Sequence, residues 1–381
     1  MDQYRFLSRL LEFEQADFPC ISVYLNTEPN ETGKKDHAVF LKKQFKEHSA
    51  VMEPNSDERK SFEKDGEKIQ TLVENLNPST RGIGIFASSG SGEFFETFEF
   101  AVPFEKDRFR VSDKPFLYPI VRLVSQHPRF AVAAADTNSA HIYVFELGKT
   151  IERDAIQNVK TNRTEVGGWS QMRYQRHIEN FHQQHAKEVV NELEKLVRDE
   201  RIEHVILSGD ETVIIPMLRD EMSKELSEKI IGTLPLNVNT PEHEILEAAT
   251  ELLREKDAEQ DKERIATLLE QNYDDGIGVT GVEKTLTALL NGQVQELYIN
   301  ADLDQINYRR NDVRQILKAY EPGEDSDLPD PGERAELIDE LLKRAAGSAD
   351  RIRFIDDPHL LKTVGGVGAI LRYQAKGVSN I

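Results

Sequence analysis

One cysteine, Cys20, stands in 381 residues. That excludes an intrachain disulfide and any multi-cysteine zinc site, and leaves the thiol to fill core at the start of a strand. One tryptophan, Trp169, is present as well. No apolar run approaches the length of a bilayer span, which excludes a transmembrane helix. The first residues, "MDQYRFLSRLLEFEQ", mix charges into an apolar stripe and read as an amphipathic helix rather than a signal peptide, so the expected location is the cytoplasm. Positive charge is also scarce: 48 Lys and Arg oppose 68 Asp and Glu, for a formal charge of -20. Nucleic-acid binding through the overall field is therefore excluded, because phosphate contact is driven by cations that release counterions. Any RNA contact must be local.

The length accommodates two or three domains. Three segments are expected: an N-terminal α/β domain over 1–126, a central one over 127–270 and a C-terminal one over 271–381. Basic residues number 17, 18 and 13 in them, against 21, 28 and 19 acidic ones. In the first, a helix over about 2–13 precedes the strand "CISVYLN", helical patterns at 36–50 and 58–76, and the hairpin "GIGIFASSGSGEFFETFEF". The "GSG" of that hairpin lacks the following helix that a dinucleotide loop requires.

The central segment opens with "FAVAAADTNSAHIYVFELGKTIERD", two apolar runs split by turn residues and so a second hairpin. Its "GKT" lacks the first glycine of a P-loop. A long helix is expected from about Ser170 to Arg198, with Tyr174, Ile178, Phe181, His185, Val189, Leu193 and Leu196 on one face. The strand "IEHVILSGD", the helix "ETVIIPMLRDEMSKEL" and a charged helix from Pro241 to about Glu270 follow, a sheet flanked by helices. The last of these reads as a solvated bridge between domains. In the C-terminal segment the helix "GVEKTLTALLNG", the strand "VQELYIN", the helix "RAELIDELLKRAAG", the strand "RIRFI" and a closing "VGGVGAILRY" make a compact α/β core, with an acidic excursion at 321–333.

Chemistry concentrates in "EVGGWSQMRYQRHIENFHQQHAKEV". Gly167 and Gly168 permit positive φ and close approach by another molecule; a turn with Ser170 capping the next helix is the plainer alternative. Trp169 lies in a polar stretch, suited to stacking on a base or to packing the loop on its own domain. Gln171 offers an amide with donors and an acceptor, and Arg173 and Arg176 stand three apart on one helical face, suited to phosphates. Across 160–187 five Lys and Arg oppose two carboxylates, a cationic island in the most acidic third. No Asp, Glu or Cys lies between Gly167 and His177, so a self-sufficient Ser-His-Asp or Cys-His hydrolase is not supported. His182 and His185 have HxxH spacing, but with no completing carboxylate they read as solvated or core-edge histidines.

The segment "GGWSQMRYQRH" resembles the catalytic loop of archaeal and eukaryotic peptide-chain release factors, which carries Gly-Gly-Gln before a helix with an Arg-aromatic pair and further arginines. "GVTGVEKTLTALLNGQVQELYINADL" at 278–303 resembles the opening of those factors' C-terminal domain, and "VGGVGAILRY" at 364–373 its end, in release factors and in Pelota. The resemblance implies an α/β fold of three domains: an N-terminal α/β domain, a central RNase H-like sheet with the loop at the tip of a long helix, and a C-terminal domain like certain small ribosomal proteins. It implies that Gly167, Gly168 and Gln171 serve peptidyl-tRNA hydrolysis in the ribosomal peptidyl-transferase centre. Trp169, Ser170, Arg173 and Arg176 would hold rRNA or the tRNA acceptor end. Two departures bear on this. Trp169 and Ser170 stand between the glycines and Gln171, so either a longer loop delivers the glutamine or Trp169 takes its place. The NIKS motif of stop-codon readers is absent. The implied work is rescue of stalled ribosomes or large subunits, or else non-catalytic, Pelota-like or hibernation-like occupation of the A site. The expected partners are the ribosome and tRNA, with a translational GTPase left open, and no cofactor, metal or membrane.

Overall fold

The computed structural model describes residues 8–11, 13, 18–29, 37–90, 92–157, 169–272, 276–320 and 334–373. Two compact units emerge: one combines 1–126 with 260–381, the other is 127–259. The first and last thirds of the chain thus share one unit.

In the N-terminal part, α1 (Ser8–Leu11), β1 (Cys20–Asn26), α2 (His37–Val51), α3 (Asp57–Glu74), β2 (Gly82–Ser88), β3 (Phe94–Phe100), β4 (Arg108–Ser112) and α4 (Tyr118–Gln126) follow one another. The strands form an antiparallel sheet ordered β3-β2-β1-β4. Strand periodicity sends Ile21, Val23 and Leu25 of β1 into a core with Leu41 and Phe45 of α2 and with Phe62, Ile69 and Val73 of α3. The intervening Tyr24 packs on the opposite face against Phe86, Phe104 and Phe116. Ser56 caps α3 by accepting from the Arg59 N–H at 3.2 Å, with Asp57 and Glu58 in the first turn, where carboxylates favour the positive helix end.

The second unit contains β5 (Phe130–Ala135), β6 (Ser139–Glu146), β7 (Lys149–Gln157), α5 (Trp169–Asp199), β8 (His204–Ser208), α6 (Ile214–Glu221), α7 (Lys224–Lys229) and β9 (Ile230–Leu234). It also contains the start of α8 (Glu242–Glu270). Its sheet is ordered β7-β6-β5-β8-β9, with β5, β8 and β9 parallel and β5-β6-β7 an antiparallel meander. The "GKT" falls on the β6–β7 turn, where Leu147 and Gly148 take φ of 49° and 76°, a two-residue hairpin geometry followed by a strand and not by a phosphate-binding helix. "FAVAAA" splits by parity. Ala131, Ala133 and Ala135 face α5 and α6, whereas Phe130, Val132 and Ala134 face Ile245, Ala249 and Leu253 of α8.

Helix α8 contributes Ile245, Ala249 and Leu253 to the core of the second unit, and Ile265 and Leu268 to that of the first. Between them, 254–264 buries no side chain and is laced by Lys256–Glu259 and Arg264–Asp261 pairs at 2.8 and 3.1 Å. After it come β10 (Gly278–Thr280), α9 (Val282–Leu290), β11 (Val294–Asn300), α10 (Arg310–Tyr320), α11 (Arg334–Ser348), β12 (Arg351–Ile355) and β13 (Val367–Leu371). The sheet order there is β10-β13-β11-β12, with only β11–β12 parallel among the described strands. In "VGGVGAILRY", Gly365 and Gly366 take φ of 84° and 80° to turn the chain into β13; a side chain on Gly366 would meet the Gln305 carbonyl oxygen at 2.8 Å. The acidic segment 321–333 lies outside the described residues.

Candidate functional site

The residues singled out by sequence converge on the N-terminus of α5. Gly167 and Gly168 lie outside the described residues. Trp169 is the first residue of the helix, Ser170 the second and Gln171 the third. The sequence reading starts the helix at about Ser170 and leaves Trp169 in a loop; the helix takes in Trp169, so Gln171 stands within its first turn. Arg173 and Arg176 follow on the second turn, and helical spacing aligns positions 169, 173 and 176 along one stripe. Side-chain positions are described from Asn180 onward.

A helix start carries four backbone N–H groups without intrahelical partners and the positive end of the macrodipole. Helices α3 and α8 meet that field with Asp57 and Glu58 and with Glu242 and Glu244. α5 does the opposite: its first turn holds no acid, and two arginines come within the next turn. Like-signed charge accumulates at this end, an arrangement unfavourable in isolation and favourable beside an external anion such as a phosphate.

The rest of α5 fixes this end in place. Ala186, Val189, Val190, Leu193, Leu196 and Val197 are buried against β5, β6 and β8 and against Ile214, Ile215 and Leu218 of α6. Among the described side chains of α5, none from 180 to 184 is buried, and His185 is the first that is. Sixteen residues separate Trp169 from that anchor, about 24 Å of rigid helix at 1.5 Å per residue. The alanines of β5 allow the helix to lie close to the sheet, so the rod is clamped over its C-terminal half.

His185 meets the backbone of Ser139 and Asp136 in the β5–β6 turn, and burial lowers its pKa. Asp136 Oδ1 accepts from the Asn138 and Ser139 N–H groups at 2.7 and 2.8 Å, which holds that turn rigid. His185 is thus a core residue at the clamp, while His182 is half-buried one turn earlier. Among the described residues no cluster of His, Cys, Asp or Glu could hold a metal ion. No described helix is long and apolar enough to cross a membrane.

Residues 115–254, which hold the whole of α5 and its sheet, match the model of bacterial archaeo-eukaryotic release factor family 10. Peptide chain release factor subunit 1 of Methanobrevibacter smithii is 23% identical over 327 residues, 77% of this chain and 77% of that protein. An uncharacterized protein of Mycobacterium tuberculosis is 26% identical over 273 residues, 70% of this chain and 71% of its own. Among solved structures, S. cerevisiae Dom34, described as a translation termination-like factor interacting with Hbs1, is 12% identical with a TM-score of 0.41, over 78% of this chain and 80% of that one.

Proposed function

We propose, from the premise that this chain is a relative of the release-factor and Pelota superfamily, that it is a ribosome-associated factor of the cytoplasm that hydrolyses peptidyl-tRNA on stalled ribosomes or large subunits. The observation that carries this reading is the charge of the α5 N-terminus: a glycine pair, then a helix whose first turn has no acid and whose second has Arg173 and Arg176. An acidic protein that concentrates cations at the tip of a clamped rod is built for one local contact with polyanionic RNA. The strand order β7-β6-β5-β8-β9 supports an RNase H-like central sheet as the rod's base.

In this reading Gly167 and Gly168 admit the tip to a narrow RNA cleft. Trp169, Ser170, Arg173 and Arg176 hold rRNA of the peptidyl-transferase centre or the tRNA acceptor end. Gln171 orients a water whose oxygen attacks the ester carbonyl joining peptide to tRNA; the ester C–O bond breaks, and a proton of the water passes to the ribose oxygen, which leaves as the hydroxyl. No general base is supplied by the tip, so its contribution is orientation and hydrogen bonding, with the ribosome completing the site. A translational GTPase is a compatible partner.

A specific observation favours a second reading. Because the helix begins at Trp169, Gln171 is two helical residues removed from the glycines, and the indole stands first. A factor of that form would fill the A site and protect the centre without turnover. The two readings share ribosome binding and differ in chemistry. Cosedimentation of the purified full chain with ribosomes and with large subunits at low salt tests what they share. Binding weakened by Arg173→Ala with Arg176→Ala is expected, and a chain that stays in the supernatant overturns both.

A further inference from the structure

An unpaired sheet edge is a template for another strand unless something blunts it. Among the described edge strands, β4 and β12 carry two arginines each, and β10 has three residues. The ladder joining β7 to β6 is interrupted by a register shift, and so is the one joining β9 to β8. Strand β3, "FFETFEF", has none of these features: it is seven residues long, holds no Lys, Arg or Pro, and pairs with β2 in one unbroken register. Its outward side follows from the hydrogen bonding. The Thr27 N–H donates to the Arg81 carbonyl at 2.9 Å, in register with the β1–β2 ladder, so odd-numbered residues of β2 bond to β1 and even-numbered ones to β3. Phe94, Glu96, Phe98 and Phe100 therefore turn their backbone groups to β2, and Phe95, Thr97 and Glu99 turn theirs outward. Among the described residues nothing bonds to those outward groups, and Thr97 and Glu99 are exposed.

We propose that β3 is the docking edge for a second copy of this chain, the two β3 strands pairing antiparallel with Thr97 on a two-fold axis. That register alone overlaps all seven residues, and it is self-complementary. Outward residues meet as Phe95 with Glu99 and Thr97 with Thr97; the residues between meet as Phe94 with Phe100 and Glu96 with Phe98. No glutamate faces a glutamate. An axis at Glu96 or Glu99 would set like charges opposite each other, and one at Phe98 would leave Phe94 and Phe95 beyond the end of the partner strand. The acids give little reason for a basic partner instead: Glu96 already pairs with Arg9 at 2.9 Å, and Glu99 accepts from the Thr80 hydroxyl. Two four-stranded sheets then join into one of eight, and the contact closes on itself rather than propagating. A seven-residue pair is a small interface, so dimerisation depends on concentration.

Sedimentation velocity of the full chain over a range of concentrations tests this. The wild type is expected to pass from monomer to dimer as concentration rises. Thr97→Lys, which puts two like charges on the axis, is expected to raise the dissociation constant roughly tenfold or more. Val39→Lys, at a position of α2 that is 71% exposed, adds the same charge and is expected to leave it unchanged. Thr97→Cys reads the register: Cα atoms of such a pair stand about 5.5 Å apart, within reach of a disulfide. A mild oxidant is expected to link that variant into a dimer and to leave Val39→Cys unlinked, with Cys20 buried in both. Circular dichroism establishes folding, and the cysteine pair decides the question should Thr97→Lys not fold. A wild type that stays monomeric at every concentration overturns the proposal. So does a folded Thr97→Lys that dimerises like the wild type, and so does equal cross-linking at 97 and 39. A monomeric wild type that binds oligolysine, with binding lost in Thr97→Lys, would assign the edge to a basic segment of another protein.

Discussion

Asp339 Oδ1, on α11, accepts a hydrogen bond from the backbone N–H of Leu117 at 2.6 Å, across 222 residues of chain. The same oxygen accepts from the Tyr118 N–H at 3.2 Å, and Lys343 Nζ lies 2.8 Å from the other oxygen. Helix α4 begins at Tyr118, so the carboxylate caps it from a distant segment, meeting N–H groups that no local side chain reaches. Burial pushes the Asp339 carboxyl up, while Lys343 and the two amides pull against it.

Asp339→Ala leaves two buried N–H donors and the Lys343 ammonium without their acceptor, a loss of about 3 kcal/mol in the stability of the unit. Asp339→Asn keeps the shape and one acceptor oxygen and loses less. Urea unfolding of the three proteins measures both; an Asp339→Ala variant as stable as wild type would remove the cap from the account.

Arg173→Glu with Arg176→Glu separates stability from function. Replacing cations by acids on the second turn of α5 is expected to stabilise the helix only slightly, by at most about 0.3 kcal/mol per site, because the macrodipole favours the charge but falls off beyond the first turn. Ribosome binding is expected to fall at the same time. Thermal unfolding and cosedimentation read the two effects, and a variant that both loses stability and keeps binding contradicts the role given to the arginines.

His127 and His185 make the second unit sensitive to acid. Burial, and then the charge of Arg254, lower the pKa of His127 from 6.5 to about 4, and burial lowers that of His185. Both imidazoles are neutral in the folded state, and the unfolded chain takes up protons first as pH falls. The contribution of His127 is therefore present above pH 6.5 and is lost progressively as pH falls toward about 4, and that of His185 is lost in the same direction. His127→Gln is expected to flatten the dependence of the unfolding temperature on pH over that window; an unchanged profile would show that this imidazole does not titrate as its burial requires.

The sequence reading reaches the elements that follow one period. Strands β1, β2 and β8 and the α5 rod carry unbroken apolar patterns, and α8 is legible by its charge. Where charge sits on a buried face, it fails. Strand β4, "RFRVS", has no place in the sequence reading; its Arg108 and Arg110 lie over the rings of Tyr118 and Phe116 at 5.8 and 4.9 Å. "ETVIIPMLRDEMSKEL" is expected as one helix. It is two, because the Ser223 side chain accepts from the Leu226 N–H at 3.2 Å and starts α7 anew, after which Ile230–Leu234 runs straight on as a strand. The shared unit of the first and last thirds is equally hidden: Asp339, 5% exposed, stands in a helix whose acids periodicity assigns to solvent. At the site, residue types and spacing are legible, whereas the helical state of Trp169 is not, since tryptophan beside Gly-Gly carries no capping signal.

Release of labelled peptide from peptidyl-tRNA on stalled ribosomes and isolated large subunits, with wild type, Gln171→Ala, Gly168→Ala and Trp169→Ala, tests the central claim most directly. The account predicts release by wild type, a fall of about a hundredfold or more for Gln171→Ala, as expected when an orienting hydrogen bond in a transition state is lost, and a comparable fall for Gly168→Ala. No release by a wild-type protein that is bound to the ribosome, or equal release by wild type and Gln171→Ala, would contradict it.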